Sequence, residues 1–85
     1  MPSVTIYTTP ICPYCNMAKQ LLVKKAVAYE EIDVSRDAVA RQALVAKSGG
    51  RTSVPQIWIG ERHVGGCDDL YALDRGGQLD KLLAV

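Results

Sequence analysis

The chain is predicted to be an α/β domain, a four-stranded mixed sheet with helices on both faces. Three observations carry that prediction. An alternating, β-branched stretch opens the chain and runs straight into apolar residues at helical spacing. The segments then follow as strand, helix, strand, helix, strand, strand, helix, so the first crossover implies parallel strands and the late tight turn an antiparallel pair. Finally, 85 residues that are 48% hydrophobic and 22% charged suit one small globular domain, taken as residues 1–85.

Each element has its own warrant. Ser3 to Thr8, SVTIYT, alternates polar and apolar side chains and reads as a strand. Pro10 and Pro13 break the pattern, and from Pro13 to Lys25 the apolar Met17, Ala18, Leu21 and Leu22 recur at helical spacing. Pro13 fits the first turn, where its missing N–H has no helical partner to lose. Ala28 to Val34 is a second strand. Ser35 or Asp37 then caps a helix through Val39, Ala43, Leu44 and Ala46, which Gly49-Gly50 stops. Gln56 to Ile59 is a strongly apolar third strand, Gly60-Glu61 a tight turn, and Arg62 to Val64 a short fourth strand. Gly65-Gly66 leads into a helix from Cys67 or Asp68 to Asp74, and Gln78 to Leu83 adds one or two helical turns.

The bulk properties exclude several classes of function. A formal charge of +1 gives no electrostatic case for nucleic acid or a membrane surface as partner. No apolar run approaches the roughly 20 residues that cross a bilayer. The start, MPSVTIY, lacks a basic segment followed by a long apolar one, so no signal peptide is expected and the cytoplasm is the expected compartment. The three cysteines, Cys12, Cys15 and Cys67, are too few and odd in number for a disulfide framework. In a reducing compartment a C-x-x-C pair points to redox catalysis or to metal.

That pair lies between the first strand and the first helix. A helix N-terminus carries unpaired N–H groups and about half a positive charge, which stabilises a thiolate, the nucleophile of disulfide exchange. Cys12 falls at the cap and Cys15 one turn deeper on the same face, so Cys12 attacks and Cys15 resolves. The competing reading is a metal site built from Cys12, Cys15, His63 and Cys67. Against it, Cys-Pro-Tyr-Cys starts a helix instead of wrapping an ion, and His63 in a short hairpin is expected to be solvated. No metal is therefore expected.

Cys12-Pro13-Tyr14-Cys15 after a short strand, Ser53-Val54-Pro55, and Gly65-Gly66-Cys67-Asp68-Asp69 together resemble a dithiol glutaredoxin over essentially the whole chain. Thioredoxins differ in carrying Gly-Pro between their cysteines. The resemblance implies a thioredoxin-like fold and a glutathione-dependent thiol–disulfide oxidoreductase acting on protein disulfides and protein–glutathione mixed disulfides. It implies that Pro55 is cis and that the Val54 backbone pairs with the cysteine portion of glutathione. The free N–H groups of the helix start at Gly66-Cys67-Asp68 would take the γ-glutamyl carboxylate. Cys67 would cap the helix or line the ligand and not act as a third catalytic thiol, Asp68 would meet the ammonium group, and Tyr14 would lie beside the ligand. Arg41, or Gln42 in its place, would face the glycine carboxylate, with Arg51 and Ser53 at the same rim. Where many relatives carry a lysine three residues before the first cysteine, this chain has Thr9, so a weaker hold on that carboxylate is expected. The implied partners are glutathione and disulfide-containing or glutathionylated proteins, met by a monomer. Two rivals stand beside this reading: a dimer bridged by an iron–sulfur cluster, and a hydrogen donor fed by thioredoxin reductase.

Overall fold

A computed structural model describes residues 3–84 and bears out the expected architecture. The elements run β1 (Val4–Thr8), α1 (Pro13–Lys24), β2 (Glu30–Asp33), α2 (Ala38–Lys47), β3 (Gln56–Ile59), β4 (Arg62–Gly65), α3 (Cys67–Arg75) and α4 (Gln78–Ala84). The sheet order is β2-β1-β3-β4. β1 and β2 are parallel, as a strand–helix–strand crossover requires, while β1–β3 and β3–β4 are antiparallel.

Side-chain alternation on the two central strands builds two apolar layers. Val4, Ile6, Ile57 and Ile59 face α1, α3 and α4, meeting Ala18, Leu21, Leu22, Leu70, Leu79 and Leu83. Tyr7 and Trp58 face the other way and pack with Val34 and with Leu44 of α2. α2 turns only Leu44 fully inward, and Val39 on the same helix is 76% exposed. Its cap is Asp37, whose Oδ1 accepts the Ala40 N–H at 3.0 Å. Two residues past the end of α1, Ala26 with φ of 58° turns the chain and lets Val27 drop into the core. Lys25 joins three helices by bonding Asp74 at 2.6 Å and Asp80 at 2.9 Å.

The second and fourth strands differ in their bounds from expectation. The second strand begins at Glu30, two residues later than predicted, because Val27 and Tyr29 pack against the main core before pairing starts. It also stops before Val34, which enters the second layer with its N–H bonded to the Thr8 carbonyl at 2.9 Å. The fourth strand runs one residue longer, to Gly65, with an irregularity opposite Ile57 and Trp58 that sets Gly65 across from Ile57 and His63 across from Trp58. Among the described residues no helix is long and apolar enough to cross a membrane.

Candidate active site

Cys12 ends the segment that joins β1 to α1 and caps the helix in an extended conformation, with Pro13 at the first helical position. Its Sγ accepts the Cys15 N–H at 3.1 Å, occupying one of the donors that a helix start leaves unpaired. No acidic residue stands in the first turn of α1 to offset the positive end of the helix dipole. Cys12 and Cys15 are joined as a disulfide. Cys15 is 0% exposed and Cys12 9%, so Cys12 is the outer member of a buried pair. Ile11 and Tyr14, 95% and 60% exposed, flank that outer sulfur in sequence.

The second wall comes from the segment before β3. The Val54–Pro55 bond is cis, and the Val54 carbonyl oxygen lies 3.9 Å from Cys12 Sγ. The start of α3 forms the third wall. Gly66 caps it, and the Gly66 N–H donates to Asp69 Oδ2 at 2.9 Å. The Gly66 N–H is thereby engaged within the turn. The N–H groups of Cys67 and Asp68 remain as first-turn donors without an intrahelical acceptor. Gly65 reaches this turn with φ of +114°, and a Cβ there would collide with the Asp69 carboxylate. Burial, reinforced by the neighbouring Asp68 charge, raises the Cys67 thiol above its ordinary pKa and keeps it protonated.

Tyr14, Val54, Pro55, Cys67 and Asp68 together line an open cleft of about 160 Å³. That is well below the roughly 300 Å³ at which pockets begin to enclose a drug-sized ligand, so the cleft is a shallow groove. Five of the predicted residues thus meet in one place, with Cys12 and Gly66 adjoining. Thr9 and Arg41 do not line the cleft. Arg41 instead donates from Nη1 to the Thr52 carbonyl at 3.4 Å, and Arg51 pairs with Asp69 at 3.9 Å.

The predicted solvated state of His63 is overturned. Its ring is half-buried, stacks on Trp58 with centroids 4.5 Å apart, and bonds Gln56 through Nε2 at 2.7 Å. His63 therefore belongs to the α2 face, across the sheet from α1, and the quartet Cys12, Cys15, His63 and Cys67 is not assembled. Among the described residues no three His, Cys, Asp or Glu side chains converge to hold an ion. Gln56 went unsingled in the sequence. The available signal was a glutamine heading the apolar run QIWI, because a buried amide needs partners.

Similarity to known proteins agrees with this geometry. The Glutaredoxin family model matches residues 4–64. A Pseudomonas aeruginosa glutaredoxin is 58% identical over 85 residues, covering 100% of both chains. The solution structure of glutaredoxin from Brucella melitensis superposes with a TM-score of 0.85 at 53% identity, covering 98% of this chain and 89% of that one. A crystal structure of a buckwheat glutaredoxin–glutathione complex reaches a TM-score of 0.88 at 27% identity, covering 98% and 77%. A further structure, described as concerning metal binding of glutaredoxins, has a TM-score of 0.74 at 52% identity, covering 98% and 89%.

Proposed function

The chain belongs to the glutaredoxin family, and from that premise we propose that it is a glutathione-dependent thiol–disulfide oxidoreductase. The observation that carries the proposal is Cys12 Sγ at the cap of α1, 3.1 Å from the Cys15 N–H and beside the cleft of Tyr14, Val54, Pro55, Cys67 and Asp68. In the reduced protein the helix terminus favours the Cys12 thiolate. With a protein–glutathione mixed disulfide, that thiolate attacks the glutathione sulfur, the S–S bond breaks, and the protein leaves as a thiolate that takes up a proton. Cys12 is then bonded to glutathione. A second glutathione thiolate attacks that sulfur, releasing glutathione disulfide and regenerating Cys12. With a protein disulfide, Cys12 forms the mixed disulfide, and the deprotonated Cys15 displaces the reduced protein and closes the Cys12–Cys15 bond. Two glutathiones reopen it.

Glutathione would lie along the groove, its cysteine portion paired with the Val54 backbone as an added strand. Its γ-glutamyl carboxylate would take the N–H groups of Cys67 and Asp68, and its ammonium group the Asp68 carboxylate. Tyr14 would cover the sulfur, while Thr9 and Arg41 remain as rim candidates for the glycine carboxylate. The buckwheat relative in complex with glutathione supports this placement. α3 and α4 lie beyond the matched segment, yet they supply Leu70, Leu79 and Leu83 to the shared core, so we treat residues 1–85 as one domain acting as a monomer in a reducing cytoplasm.

The test is a glutathione-coupled assay on a glutathionylated peptide. Turnover that saturates with the mixed disulfide is expected; turnover with thioredoxin reductase and none with glutathione would refute the reading. The neighbour described by metal binding favours a second reading, in which Cys12 and glutathione thiolates hold an iron–sulfur cluster between two copies. Visible absorption after anaerobic purification, together with a dimer on gel filtration, would establish it.

A further inference from the structure

Gln56 is 0% exposed, and its side chain stands on the α2 face of β3. A buried primary amide is tolerated only where its donors and acceptor are matched. Here its Nε2 donates to the Ser53 carbonyl at 3.1 Å and approaches Ser53 Oγ at 3.2 Å. A backbone carbonyl can only accept, so the amide cannot be turned round, and Oε1 must face His63 at 2.7 Å. The contacting His63 nitrogen, Nε2, must therefore carry the proton.

His63 is itself fixed. It stacks on Trp58 at a 20° interplanar angle, and Trp58 meets the edge of Tyr7 at 5.3 Å and the Lys47 ammonium at 4.7 Å. The other end of the chain of bonds is the segment that faces the thiol. Ser53 precedes Val54, whose carbonyl approaches Cys12 Sγ, and Arg41 holds Thr52 one residue earlier. Packing on the α2 side of the sheet is thereby connected, through one amide, to the wall of the cleft on its end.

We propose that Gln56 and His63 are positioning residues for the cleft: the His63 Nε2–H orients the Gln56 amide, which holds Ser53 and so sets where the Val54 backbone meets the ligand. The inference rests on the glutathione reading for its kinetic consequence, since Val54 is the backbone that glutathione would pair with. Neither residue touches the reacting sulfurs. Their loss should therefore weaken ligand binding and leave the chemistry of Cys12 alone.

His63→Phe keeps a ring against Trp58 and removes the donor, while Gln56→Met keeps length and removes both polar ends. Each is expected to raise KM for a glutathionylated peptide by about tenfold, with kcat and the Cys12 thiolate pKa, followed by thiolate absorbance, changed by less than about twofold. Amide exchange at Ser53 and Val54 should quicken in both variants. Nitrogen-15 spectra of the imidazole in the wild type should show the Nε2–H tautomer. Unchanged KM and unchanged Val54 exchange in folded variants, or an Nδ1–H tautomer in the wild type, would overturn the proposal. If Gln56→Met does not fold, the half-buried His63→Phe and the tautomer decide it. A wild type that ignores the glutathionylated peptide overturns the glutathione reading, and the exchange and tautomer measurements then decide the brace without glutathione.

Discussion

Replacing Gly65 with alanine should damage the site through the backbone. Gly65 sits at φ +114°, which side-chain-bearing residues rarely adopt, and such strain costs about 1–3 kcal/mol. The new Cβ would also collide with the Asp69 carboxylate and push it off the Gly66 N–H that it accepts at 2.9 Å. A hydrogen bond to a charged group contributes about 1.5–3 kcal/mol, and the half-exposed Asp69 belongs at the low end of that range. Because the two effects share one turn they do not add fully, and the loss should be about 2–4 kcal/mol. For a domain of this size each kcal/mol moves Tm by about 4–8 °C, so a fall of about 10–25 °C is expected in calorimetry of the reduced protein. The companion measurement is the same substitution in an Asp69→Ala background. There the carboxylate is gone, leaving backbone strain and a tight 3.1 Å approach to the Cβ at position 69, so Gly65→Ala should cost about 1 kcal/mol less than in the wild type. A loss below about 1 kcal/mol, or an equal loss in both backgrounds, would refute the account of why glycine is needed here.

Cys15→Ser should retain deglutathionylation and lose reduction of protein disulfides, whereas Cys12→Ser should lose both. Equal losses for the two variants in paired assays would sink the division of roles. Ala26→Gly should stabilise the fold by about 0.5–1 kcal/mol in urea denaturation, because relief of the left-handed strain at φ 58° exceeds the added chain entropy; a destabilised variant would contradict this. Burial, helped by the Arg51 charge and opposed by Asp69, holds the His63 pKa below its ordinary 6.5. The folded state thus prefers the neutral ring. That preference contributes fully above pH 6.5 and is lost as pH falls from there through the folded pKa. Denaturant titrations should show the wild type losing stability relative to His63→Phe across that interval, and parallel pH curves would exclude it.

The strand–helix–strand start and the late hairpin were legible because each is written in local spacing, and the sheet order follows from few topological choices. The beginning of β2 was not, since AYEEIDV reads as strand from its first residue, and only the packing of Val27 and Tyr29 against the main core decides the matter. The thiol site was readable where chemistry is carried by motif: the Cys12–Cys15 pair, Val54-Pro55, and the glycines before α3. The role of Asp69 on the Gly66 N–H was not readable, because aspartates at a helix start suit a dipole, a cap and a ligand equally well. His63 and Gln56 were hidden for another reason. The hairpin register sets His63 opposite Trp58, but its diagonal reach to the Gln56 amide is decided by packing on the α2 face, which no residue count reveals.

The two open edges of the sheet also bear on how the protein meets its clients. β2 is four residues long and carries Glu30, Glu31 and Asp33, while β4 is equally short and irregular against its neighbour. Short, charged and kinked edges resist lateral annealing of a stray extended chain. An unfolded polypeptide bearing a disulfide therefore finds little purchase along the flanks. On the reading proposed above, such a chain would instead meet the Val54 backbone, beside Cys12 Sγ at the end of the sheet, so capture and chemistry would converge on a single approach.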